Sequence, residues 1–229
     1  MHVPVALRGP MSIPFRMVGL RPSAMNPNTC TFCELMFTRV MKARNIAVDV
    51  TVLFADLRGY TGLSQSHSPD AVAGLLDVFY DECAAAIWEH DGLLNKTIGD
   101  AVMAVFNFPI RHADHARKGV LAARDIQRRC RAQGEALAGT LGLTGAELGV
   151  GIGIDSGEVR FGEFGRSHRD LTAIGTVVNT AARAQSAAAA GQIRVTKAVY
   201  DRARPELADS RPEEYRLKGF DAPIRLFSA

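Results

Sequence analysis

The stretch Leu93–Phe106, LLNKTIGDAVMAVF, constrains this chain more than any other. Two apolar runs flank Gly99-Asp100, and that pattern specifies a hairpin of Leu93 to Ile98 and Ala101 to Phe106. Alternation along the first strand puts Leu94, Lys96 and Ile98 on one face. A lysine on a buried-looking face breaks the pattern, and such breaks concentrate at functional sites. Asp100 follows at the turn. A cation and an anion at the rim of an apolar hairpin suit a polyanionic ligand carrying a metal; the competing reading is a surface turn with a snorkelling lysine.

Upstream, Val48 to Asp56 alternates as a strand, with Val50, Val52, Phe54 and Asp56 on one face and Thr51, Leu53 and Ala55 on the other. A carboxylate therefore ends an apolar stripe. The turn Leu57-Arg58-Gly59-Tyr60-Thr61 has free amides that suit phosphate oxygens. Ser68 and Pro69 read as the N-cap and first position of a long helix with its stripe at Val72, Leu75, Leu76, Phe79, Cys83 and Ile87, ended by Gly92. His112 to Cys130 reads as a second long helix, and His112, Asp114 and His115 at its start are better explained by capping than by a metal.

Leu148 to Ile154 alternates with glycines at 149, 151 and 153, a face that lets a neighbour approach the backbone closely. Asp155-Ser156-Gly157 reads as a turn into a partner strand, Glu158 to Phe161, and Gly162 to Arg169 as a mobile loop. Thr172 to Ile174 is extended; Thr176 is placed to cap a helix reaching about Ala190, on which Asn179 and Arg183, four apart, share a face. Ile193 to Thr196 is a strand, and Tyr215 to Lys218 with Ile224 to Phe227 make a terminal hairpin. The order is β-α-β-β-α-β with additions, an α+β ferredoxin-like plan whose sheet carries helices on one face and leaves the other free. Asp56 and Asp100 then end neighbouring strands, an arrangement that suits a pair of hard divalent cations such as Mg2+ and in-line displacement at phosphorus.

Size and charge set limits on the alternatives. The 229 residues suit one domain: a leader over 1–45, poorly ordered to about residue 28, followed by a catalytic domain over 46–229. A formal charge of +3 gives no argument for nucleic acid. No apolar run is long enough for a membrane span, and prolines at 4, 10 and 14 break up any signal peptide, which points to the cytoplasm. Cys83 and Cys130 fall in helical patterns as core thiols. Cys30 and Cys33 form a CxxC in the leader, open to three readings: half a zinc site completed by a second chain, a redox pair, or no role.

Several segments together resemble the class III adenylate and guanylate cyclases. Phe54-Ala55-Asp56-Leu57-Arg58-Gly59-Tyr60-Thr61 resembles the first metal motif, and Lys96-Thr97-Ile98-Gly99-Asp100 the base-selecting lysine and second metal aspartate. Thr172-Ala173-Ile174-Gly175 and Val178-Asn179-Thr180-Ala181-Ala182-Arg183 resemble the ribose- and phosphate-handling segment. The resemblance implies that Asp56 and Asp100 hold two Mg2+ or Mn2+ ions per site, that Lys96 and Thr172 read the adenine edge of ATP, that Asn179 orients the ribose, and that Arg183 stabilises charge on the phosphates. Lysine with threonine favours ATP over GTP, and threonine at this position also marks the subclass in which a bicarbonate response has been discussed. Lys218 falls near a triphosphate-binding lysine of some members. Thr176 stands where the family usually has aspartate.

The resemblance also implies a homodimer with two shared sites: Asp56 and Asp100 of one chain face Lys96, Thr172, Asn179 and Arg183 of the other. Lys96 breaks the strand pattern, on this reading, because it serves the partner's pocket. The expected reaction is ATP to 3′,5′-cyclic AMP and pyrophosphate. A guanylate or relaxed-specificity cyclase and a non-catalytic nucleotide-binding module are the alternatives.

Overall fold

The computed structural model describes residues 12–23, 26–43, 45–141, 149–165 and 170–229. Its centre is a mixed sheet. Strands β1 (Ile46–Leu57), β2 (Leu93–Ile98), β3 (Ala101–Phe106) and β4 (Val150–Phe164) take the order β2-β3-β1-β4, all antiparallel. With helices α4 (Pro69–Glu89) and α5 (His115–Leu141) between them, this is the expected βαββαβ core. The sheet continues through β6 (Ile193–Thr196), parallel to β4, then β8 (Ile224–Ser228) and β7 (Pro212–Tyr215), while β5 (Asp170–Ile174) pairs with the far end of β4. Helices α1 (Ile13–Met17) and α2 (Thr31–Ala43) precede the core; α3 (Tyr60–Ser66), α6 (Thr176–Ala187) and α7 (Lys197–Arg202) complete it.

Alternation along β1 divides the core in two. Leu53, Ala55 and Leu57 face α4 and α5, meeting Leu75, Phe79, Ile87, Val120 and Ile126. Val50, Val52 and Phe54 point the other way, toward Met103, Val105, Phe161 and α6 residues Val177 and Ala181. The second face is thus partly covered by α6, where the sequence leaves it free of helices. The β4 glycines make this possible: a Cβ on Gly153 would stand 2.0 Å from the Gln185 backbone nitrogen, and one on Gly151 2.3 Å from the Arg58 guanidinium.

Ser68 caps α4 as read from the sequence, its hydroxyl accepting from Ala71 N at 3.3 Å. Other expectations are corrected. Asp155-Ser156-Gly157 is no turn but the middle of one 15-residue strand, β4. The two polar residues are buried there because partners meet them: Thr196 Oγ1 donates to Asp155 at 2.5 Å, and Thr51 Oγ1 bonds both Ser156 Oγ at 2.6 Å and His115 Nδ1 at 2.8 Å. His112 instead pairs with Asp91 at 3.2 Å, so the His112-Asp114-His115 trio does not converge. Gly175, not Thr176, is the N-cap of α6. The terminal hairpin uses Pro212–Tyr215, which leaves Leu217 and Lys218 in the following loop. Gly162 to Phe164 belong to β4, whereas residues 166–169 of the expected mobile loop lie outside the described residues, as do Leu148 and residues 1–11 of the leader.

Lys96 breaks the alternation for a local reason. The β2–β3 register shifts between Leu94 and Lys96, with Asn95 as the extra residue of a bulge. Lys96 therefore pairs with Met103, itself opposite Phe54. The lysine lies on the face of Phe54 and Asp56, opposite to the face of Leu94.

Candidate active site

Asp56 and Asp100 are brought together by the ladder. Asp56 pairs with Ala101 across β1 and β3, and Leu57 N donates to Asp100 O at 3.1 Å. The Tyr80 hydroxyl donates to Gly99 O and so holds the hairpin turn from the α4 side. The two carboxyls are close enough for each to feel the other's charge. Burial and then the Asp100 charge push the Asp56 carboxyl up to about 6, against the opposing pull of Arg58 and Gln185. Two partly buried carboxylates that repel, both hard oxygen donors, fit a divalent cation, which would relieve the repulsion.

Two further residues hold Asp56. Gln185 Nε2 donates to Asp56 Oδ2 at 2.7 Å, and Arg58 Nη1 lies 3.3 Å from the same oxygen. Arg58 also donates to the Gln185 carbonyl. Both supports turn to Oδ2. Sequence reasoning missed them; the one available signal was a glutamine on the otherwise small, apolar inner stripe of Val177, Ala181 and Ala184.

Lys96 and Thr172 meet in a second group. Lys96 forms an ion pair with Asp170, two residues before Thr172. Asn95 joins the strands: its Nδ2 donates to Leu171 O at 2.9 Å, and Thr172 Oγ1 donates to its Oδ1 at 3.3 Å. A carbonyl can only accept, so Leu171 fixes which end of the Asn95 amide faces Thr172. Ala173 O lies 3.5 Å from the same hydroxyl, so either acceptor directs the Thr172 proton into the protein and leaves the oxygen's lone pairs to accept. Asn95 and Asp170 were also missed; the polar Asn95 within an apolar strand marks the bulge.

Asn179 and Arg183 are exposed on α6. At 100° per residue, Arg183 lies about 160° around the helix from Gln185, so the face carrying Asn179 and Arg183 turns away from the face that touches Asp56. Lys218 is exposed in the β7–β8 loop, next to Leu217, which is buried with Ala184 of α6. That anchor sets the Lys218 loop beside the Arg183 stretch. One chain thus presents two separate groups: Asp56 with Asp100, and Lys96 with Thr172. Asn179 and Arg183 sit on a helix face directed at neither Asp56 nor the sheet.

The adenylate and guanylate cyclase catalytic domain matches residues 43–227. Adenylate cyclase 1 of Rhizobium meliloti is 33% identical over 139 residues, 59% of this chain and 20% of that protein. An adenylate cyclase of Anabaena cylindrica is 34% identical over 135 residues, covering 58% of this chain and 26% of its own length. The chain spans between a fifth and a third of the curated relatives it matches. Among solved structures, the guanylyl cyclase Cya2 superposes with a TM-score of 0.74 at 27% identity, over 80% of this chain and 92% of that one. The adenylyl cyclase CyaB from P. aeruginosa does so with 0.73 at 27% identity, over 81% and 95%. The family match spans most of the chain, and the chain belongs to the adenylate and guanylate cyclase catalytic-domain family.

Proposed function

We propose that this domain is an adenylate cyclase that converts ATP to 3′,5′-cyclic AMP and pyrophosphate at two equivalent sites shared across a homodimer. The choice of ATP rests on the donor–acceptor order at Thr172. Its hydroxyl donates to Asn95 and so offers a base an acceptor. Adenine has an amino group to donate there; guanine has a carbonyl, which would meet the lone pair of Thr172 unsatisfied. Lys96 supplies the complementary donor to a ring nitrogen.

The ribose 3′-hydroxyl gives its proton to water, its oxygen attacks the α-phosphorus in line, the bond from the α-phosphorus to the bridging oxygen breaks, and pyrophosphate leaves with that electron pair. Mg2+ or Mn2+ ions held by Asp56 and Asp100 would supply the Lewis acidity that lowers the pKa of the 3′-hydroxyl and offsets triphosphate charge. Gln185 and Arg58 keep Asp56 in place for that duty. Asn179 orients the ribose, Arg183 neutralises charge building on the phosphates, and Lys218 steadies the triphosphate. The opposed faces of α6 support sharing: a chain that uses its inner face to hold its own Asp56 directs Arg183 outward, to the pocket of a second copy.

On this reading residues 46–229 are the catalytic unit, the first 45 residues are a leader outside the chemistry, and the domain works in the cytoplasm. No helix among the described residues is long and apolar enough to cross a membrane. Incubating the protein with Mn2+ or Mg2+ and ATP or GTP, and identifying the product by mass, tests the reading. Cyclic AMP from ATP in clear preference to cyclic GTP-derived product is expected. Preferential cyclic GMP would replace it with the guanylate reading, and no product from either nucleotide with the binding-module reading.

A further inference from the structure

The CxxC of the leader takes no part in the cyclase chemistry, yet its two sulfurs are set against each other. Cys30 Sγ lies 3.3 Å from Cys33 Sγ, and Cys33 N also donates to Cys30 Sγ at 3.3 Å. Both are free thiols, Cys30 buried and Cys33 exposed. The backbone around Cys30 is pinned. It bridges to Pro22, and Thr31 N donates to Arg21 O at 2.8 Å. Asn26 Nδ2 donates to Gly92 O at 2.9 Å, fastening the same loop to the catalytic domain. Cys30 stands immediately before the 13-residue helix α2, where backbone N–H groups favour a thiolate. Among the described residues no group of three or more metal-ligating side chains converges, so no third ligand joins the pair as a metal site within the chain.

We propose that Cys30 and Cys33 are a reversible dithiol–disulfide site that exchanges with small-molecule disulfides of the glutathione class. A disulfide needs its sulfurs about 2.05 Å apart, so closure asks for side-chain rotation of two thiols already in contact. Access assigns the order of steps. Cys33, exposed to solvent, loses its proton and as the thiolate attacks the external disulfide R–S–S–R, forming Cys33–S–S–R; the R–S− released takes up that proton. The Cys30 thiolate then attacks Cys33 Sγ, the bond from Cys33 to the R sulfur breaks, and a second R–S− departs and takes up the proton that Cys30 has lost. Two protein thiols are oxidised and one external disulfide is reduced to two thiols. Burial works against the Cys30 thiolate, but bonds from the Cys33 N–H, the Cys33 thiol and the Phe32 N–H outweigh it and hold the Cys30 pKa below its ordinary value. The same thiol bond, with burial, raises Cys33, in keeping with one proton shared between the sulfurs.

The full chain would be incubated with oxidised and reduced glutathione at a series of ratios, acid-quenched, alkylated in denaturant and analysed by mass. As the ratio rises, wild type should lose two alkylatable thiols together and yield a Cys30–Cys33 cross-linked peptide. Cys83 and Cys130, both buried, should remain reduced as an internal control. Cys30→Ser should accumulate one glutathionyl group on Cys33, because the resolving thiol is gone. Two outcomes overturn the proposal: wild type that retains both alkylatable thiols under conditions that glutathionylate Cys30→Ser, or wild type that keeps glutathione on Cys33 without closing the ring. The wild-type cross-link decides the matter even if the variant does not fold.

Discussion

Gln185 donates to Asp56 from the inner face of α6, at 2.7 Å, and so ties the helix to the carboxylate end of β1 in its own chain. Arg183 and Asn179 lie on the outer face of that helix and are exposed. The same helix cannot turn both faces to one pocket. Asp56→Ala and Arg183→Ala should therefore each lower kcat about 100-fold or more, and mixing the two should recover activity. Under random pairing half the dimers are mixed and one of the two sites in each is intact, so about a quarter of wild-type sites should return. Cyclase assays on the mixture, with dimer formation checked by sedimentation, test this; a mixture that stays inactive while both variants dimerise excludes the shared site.

The Asp56 carboxyl titrates at about 6 in the folded chain against an ordinary 3.8, raised by burial and by Asp100. Its folded pKa lies above its unfolded one, so in that window the folded state binds the extra proton, and stability falls as pH rises through it. Melting curves taken without divalent cation should show this decline, and Asp56→Asn should flatten it. A cation binding the charged pair reverses the loss, so Mn2+ should raise Tm more at about pH 7.5 than at about pH 5. An equal shift at both pH values would remove Asp56 from the cation site.

Asn95 sets the polarity of Thr172, so removing its amide should loosen base choice. In Asn95→Ala the hydroxyl is free to rotate and donate to a guanine carbonyl. The ratio of kcat/KM for ATP over GTP should fall about 10-fold, the worth of one hydrogen bond to a buried group. The double change Lys96→Glu with Thr172→Cys should lower the ratio further. Steady-state kinetics with both nucleotides decide this, and an unchanged ratio in the double variant would sink the base-reading assignment.

Much of this was legible in the sequence. The period-2 pattern of Val48 to Asp56 and the Gly-Asp turn gave three strands and placed Asp56 near Asp100, because register across a sheet follows from which residues are apolar. What was not legible depends on side-chain partners distant in the chain. Asp155 and Ser156 resemble a turn until Thr196, Thr51 and His115 arrive to satisfy them inside a strand. The face of Lys96 follows from a one-residue bulge at Asn95, and periodicity counted through a bulge assigns every later residue to the wrong side. Gln185 carries no motif at all; its role exists only because α6 settles on a glycine.

That glycine gives the last prediction. A Cβ at Gly153 would meet Gln185 N at 2.0 Å, Ala181 O at 2.4 Å and Gln185 Cα at 2.5 Å, all fixed by the helix backbone, so nothing flexible can yield. Gly153→Ala must lift α6 from β4. The overpacking should cost about 3 kcal/mol, and the displaced Gln185 should release Asp56. We expect a lower denaturant midpoint and a fall in kcat larger than the lost folded fraction accounts for. Gly62→Ala on α3 is the control: its Cβ meets nothing within 4 Å, and alanine in a helix should leave stability equal or higher by about 0.5–1 kcal/mol, with activity unchanged. If Gly153→Ala melts and turns over like wild type, close seating of α6 on β4 is not what holds Asp56 in place.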